Sequence, residues 1–197
     1  MKKILTTQNL LFISLNIFSV FLLYYFYKND FASLIIIKQL FFLIILWLPL
    51  LIQKIINKKF PKFLYQLYLV IFVLDVLIGN TFMFYKISNI YKCFVLFLEG
   101  IIFYLIGTWL IKLLDDYGFL SFKLINLFSF TFSVTFSCIK ELIIYFFERI
   151  FKSDAVALFP NLLILSSAAS FCFLAIYLDS KYNSLKYFLY IDKLISK

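Results

Sequence analysis

The chain has 197 residues, 64% of them hydrophobic, and a mean hydropathy of +1.01; ordinary soluble domains are roughly 45–50% apolar, so the composition predicts a multipass membrane protein. The formal charge of +9 comes from lysines beside apolar runs and not from a basic patch interleaved with aromatics, which excludes nucleic acid and leaves anionic lipid headgroups as the counterpart. The lack of histidine removes His-bound zinc, Ser-His-Asp triads and histidine proton relays.

Usage is skewed in a second way. There are 28 Phe and 14 Tyr but only 4 Gly, and every basic residue is lysine except Arg149. That pattern fits an AT-rich genome, as in a low-GC bacterium or an organelle. Cys93, Cys138 and Cys172 lie in separate apolar segments without a CxxC pairing, so neither a disulfide framework nor a metal site is expected.

In chain order, Met1-Lys2-Lys3 followed by an apolar run imitates a signal peptide. Residues 10–27 end in large aromatics without an Ala-x-Ala site, so they read as a retained first span. The second span, 33–53, holds Lys38 and, near its far end, Pro49; a neighbouring helix is expected to satisfy the carbonyl that the proline frees. After the most basic loop, around Pro61, the third span (63–84) carries Asp75 near its middle. Residues 86–92 read as a polar loop. The fourth span, 93–113, contains Glu99, Gly100, Gly107 and Thr108. Asp115-Asp116-Tyr117-Gly118 marks a turn.

The fifth span, 130–148, organises the rest. Ser129, Ser133, Ser137, Glu141 and Tyr145 recur every fourth residue, with Glu148 three further on. At 3.6 residues per turn they share one helix face. A polar stripe on a lipid-solvated helix must face protein or water, so this helix is expected to form an inner wall. The sixth span, 158–178, carries Ser166-Ser167-Ala168-Ala169-Ser170, small residues that let helices approach closely. Residues 181–197 read as a basic amphipathic helix on the membrane surface. The expected architecture is thus an all-α integral membrane protein, a bundle of about six transmembrane helices over residues 1–180, with a C-terminal amphipathic surface helix.

Lysines concentrate at the N-terminus, the second and fourth loops and the tail, which places both termini on the cytoplasmic or matrix side. That orientation gathers Lys38, Asp75, Glu99, Lys140 and Glu141 in the outer half of the bilayer, with Ser133 and Ser137 beside them and Glu148 near the surface. Such charges need partners: in one reading ion pairs such as Lys140 with Asp75 or Glu99 fix helix register with no ligand, and in the other the group forms a polar pocket, open to the outer leaflet, for a lipid headgroup, small amine or proton. The five sum to −1 when all are ionised. A protonated carboxylate, a cation, an amine or a hydrated pocket then makes up the balance.

Two stretches, 77–113 and 127–154, resemble the YjdF-type family of small multipass bacterial membrane proteins of unknown function. Gly79, Phe84-Tyr85 and Gly100 match the first of its motifs, and Glu141 and Glu148 match acids of the second. The family's Asp and His fall on Lys92 and Leu96, its Trp on Lys140 and its second Glu on Ile144. The resemblance implies the membrane fold and a central fifth helix, and it implies that any Asp-His-Glu activity is lost here.

The expected function is a non-enzymatic accessory or binding component with no cofactor. Its expected partners are membrane lipids, other membrane subunits or further copies of the chain. The bacterial cytoplasmic membrane is the expected location, with an organelle inner membrane as the alternative. A proton- or cation-coupled transporter using Asp75, Glu99 and Glu141 is the competing reading, and a lipid-acting enzyme with carboxylates as acid and base comes last.

Overall fold

The computed structural model describes residues 7–29, 33–57, 60–82, 84–114, 120–150 and 158–182, and among them every regular element is helical. The elements are α1 (Thr7–Lys28), α2 (Ser33–Ile56), α3 (Lys62–Phe72) with a π-helical continuation (Val73–Thr81), the short α4 (Phe84–Ile87), α5 (Asn89–Leu114), α6 (Phe122–Ile150) and α7 (Leu158–Tyr182). Hydrocarbon offers no partner for backbone N–H and C=O groups, so an apolar run of this length closes its hydrogen bonds on itself as a helix. Among the described residues six spans are long and apolar enough to cross a membrane: Leu10–Lys28, Gln39–Ile56, Lys62–Thr81, Asn89–Leu114, Phe122–Phe146 and Pro160–Leu178. The protein is an integral, multipass, all-helical membrane protein.

The helices pack in two groups, one up to Val76 and one from Leu77. In the first group, α1 packs on α2 and both meet α3. Polar residues fix the register. Trp47 Nε1 donates to Asn16 Oδ1 at 2.8 Å, and its ring packs edge-on against Phe12 at 5.2 Å. Buried Gln39 points its amide at the Ser19 carbonyl.

Pro49 lies inside α2 without ending it. A proline lacks the N–H that would bond the carbonyl four residues back, here that of Ile45. The Tyr68 hydroxyl of α3 donates to that carbonyl, so a neighbouring helix does satisfy it. Tyr68→Phe is therefore expected to cost about 1–3 kcal/mol, the penalty of an unsatisfied buried acceptor. In a Pro49→Ala background the same change should cost little, because the helix then satisfies Ile45 itself. Thermal unfolding of the four proteins in detergent checks the cycle; equal losses in both backgrounds would refute it.

The second group is built on α5, α6 and α7, each packed against the other two, with α4 against α5. Two glycines of α5 set the approach. A Cβ on Gly100 would stand 2.6 Å from the Leu165 carbonyl oxygen and 2.7 Å from Ala168 Cβ of α7. On Gly107 it would meet Phe132 Cβ of α6 at 3.0 Å. Ala168 and Ala169 are buried, as the small-residue run of the sixth span predicts.

Several boundaries differ from those read in the sequence. The expected loop at 86–92 is mostly helix, because Ser88 Oγ accepts the Tyr91 N–H and starts α5 early. Likewise Ser121 Oγ accepts the Leu124 N–H, so α6 begins at Phe122 and takes in Asn126 and Ser129. Lys181 and Tyr182, expected to open a separate surface helix, instead finish α7, the last membrane-length helix. The rest of that expected tail and the turn at 115–118 lie outside the described residues.

Candidate functional site

The predicted stripe of α6 is an inner wall of the second helix group. Asn126, Ser129, Ser133, Ser137 and Glu141 are each no more than 3% exposed. Their spacing of three or four residues stacks them turn upon turn over roughly 22 Å of helix. Tyr145, one turn further, is half-buried.

The hydroxyls bond to backbone and across helices. Ser129 donates to the Ile125 carbonyl at 2.7 Å and lies 2.9 Å from the Thr108 hydroxyl of α5. Ser133 donates to the Gly100 carbonyl at 2.9 Å, across the interface that the glycine opens. Ser137 bonds back to the Ser133 carbonyl at 2.7 Å. At the stripe's other end the Tyr104 hydroxyl donates to Asn126 Oδ1 at 3.1 Å, while Asn126 Nδ2 has no hydrogen-bond partner among the described residues.

Charges collect toward the end of the group formed by Ile150 of α6 and Leu158 of α7. Glu99, one of the partners expected for Lys140, does pair with it: the ammonium reaches both carboxylate oxygens from α6 to α5. Glu141 turns the other way, to α7, and Asn161 Nδ2 donates to its Oε2 at 2.9 Å. Among the described residues no cation pairs with Glu141. Lys140 and Glu99 thus form an ion pair, while a buried carboxylate with four acceptor positions is held by one amide.

Of the other predicted site residues, Asp75 lies in the first turn of the π-helical segment, half-buried and in the first helix group. Lys38 is within α2 and Glu148 within α6; their side chains lie outside the described residues. Asn161, Asn126 and Tyr104 were missed. An asparagine three residues into the sixth apolar run was a signal for Asn161, but nothing local names its partner on α6. Among the described residues no three His, Cys, Asp or Glu side chains gather where a metal could bind.

Residues 9–177 match the family described as predicted membrane protein (DUF2238). The chain belongs to the DUF2238 family. The assignment to YjdF-type proteins, drawn from two stretches, is corrected by this match, which shows DUF2238 and runs from the first span to the last. No curated protein and no solved structure matches the chain. This DUF2238 protein is therefore a multipass helical membrane protein with a buried polar and charged cluster of Glu99, Lys140, Glu141 and Asn161.

Proposed function

We propose that the protein is a non-enzymatic binding component of a bacterial cytoplasmic membrane that takes an amine or other cation at Glu141. The observation that carries this reading is Glu141 itself, buried on Asn161 with no cationic partner among the described residues. A bare buried carboxylate is costly, and a bound cation removes that cost. Lys140 does not serve, because Glu99 holds it. The lysine distribution supports an orientation with both termini in the cytoplasm and this cluster in the outer half of the bilayer.

The test is stabilisation by a small amine. A ligand at a hundred times its Kd stabilises a protein by about 2.7 kcal/mol. Ethanolamine should raise the unfolding temperature of the purified protein and leave that of Glu141→Gln unchanged. No shift in the wild type, or the same shift in both, contradicts the proposal.

A second reading, proton- or cation-coupled transport, is favoured by the π-helical segment that carries Asp75 in its first turn. Wide helical turns often mark functional sites. Uptake into liposomes that survives neutralising Asp75, Glu99 and Glu141 together would dismiss it.

A further inference from the structure

Beside the Glu141–Asn161 bridge, α6 and α7 part to form a groove of about 190 Å³ lined by Val134, Ser137, Cys138, Leu162, Leu163 and Ser166. Pockets that enclose a whole small molecule measure roughly 300–1,000 Å³. This one is sized for a length of hydrocarbon chain. Leu163 is exposed on the face of its span, so the mouth opens toward acyl chains.

The bridge lies one helical turn beyond the groove's lining on α6 and one residue before it on α7. Ser137 lies one turn from Glu141 on α6, and Leu162 follows Asn161 on α7. Asn161 comes directly after Pro160, where the sixth span begins, and Glu141 lies roughly 8 Å inside the Phe146 end of the fifth. The bridge is therefore near the membrane surface. From it the groove runs inward along both helices, to Val134 and Ser166. A polar acceptor near the surface leading into an apolar channel toward the midplane matches the layout of a lipid.

The charge selects which lipid. A primary ammonium offers three donors to a carboxylate that Asn161 satisfies only once. A quaternary ammonium offers none, and an anionic headgroup is repelled. We infer that Glu141 and this groove bind a lipid whose polar end carries a primary amine, its chain lying between α6 and α7. The inference rests on the reading of Glu141 as a binding carboxylate.

The experiment presents the purified full chain with nanodiscs of equal parts phosphatidylethanolamine, phosphatidylcholine and phosphatidylglycerol of the same acyl chains. The lipids that stay bound on gentle extraction are then quantified by mass spectrometry. The ethanolamine lipid should be enriched roughly tenfold or more over the choline lipid, the size of one charge-assisted hydrogen bond. Glu141→Gln should abolish that enrichment, and so should Ser166→Phe, which fills the groove and leaves Glu141 intact. Equal retention of the three lipids by the wild type overturns the inference without any variant, and so does enrichment that survives Ser166→Phe. Should ethanolamine stabilise the wild type through Glu141 while its lipid is not enriched, the lipid inference falls and the cation-binding reading stands. Should neither occur, both fall.

Discussion

Lys140→Met is expected to be the most damaging single change in the second helix group. It removes the ammonium that bonds both oxygens of the Glu99 carboxylate, itself only 6% exposed. Removing one partner of a buried ion pair costs about 3–5 kcal/mol. At roughly 2–4 °C per kcal/mol for a chain of this size, unfolding should move down by about 10 °C. The reciprocal change, Glu99→Gln, should cost less. The Lys140 side chain is 24% exposed, and its long stem can carry the ammonium toward headgroups. Glu99→Gln/Lys140→Met together should recover most of the loss, because no charge is then stranded. Thermal unfolding of the cycle decides the matter. Equal losses in both single variants, adding up in the double, would show that the pair does not act as a unit.

Gly100→Ala should come second. Its new methyl would stand 2.6 Å from a backbone oxygen and 2.7 Å from Ala168 Cβ, so α5 and α7 must separate. Overpacking costs about 1–3 kcal/mol, occasionally more, and exchanging glycine for alanine in a helix returns about 1 kcal/mol of that. The net should be destabilising, and the displaced helix should weaken the Ser133 hydrogen bond to the Gly100 carbonyl. Gly107→Ala meets its neighbours at 3.0–3.1 Å, two of its three closest contacts being atoms of the Phe132 side chain. There a shift of a few tenths of an ångström suffices, and the helix-propensity gain roughly cancels the strain. Equal unfolding temperatures for the two variants would mean that Gly100 is not the close contact between α5 and α7.

What could be read in advance was whatever repeats along the chain. Apolar runs gave the spans because lipid allows so few solutions. The four-residue spacing of Ser129, Ser133, Ser137 and Glu141 identified a buried face before any neighbour was known. Pro49 was readable in kind, since a freed carbonyl must find a donor, but not which tyrosine would supply it. The partner of Glu141 was hidden for the same reason. Asn161 meets it only through the pairing of α6 with α7, and one asparagine carries no period. The start of α6 was misplaced because Lys123 and Asn126 dilute the apolar run, although Ser121 is the kind of residue that caps a helix. The π-helical turns at Asp75 left no mark in the pattern of apolar residues. The family was misread because two phenylalanine-rich stretches stood in for the whole chain.

The central claim is that Glu141 is a binding carboxylate and not a register device like the Lys140–Glu99 pair. Native mass spectrometry of the gently extracted protein, run beside Glu141→Gln, tests it most directly. The account predicts a wild type carrying a small or lipid-sized adduct that the variant lacks. Identical spectra for the two proteins, with no adduct or with the same one, would contradict it.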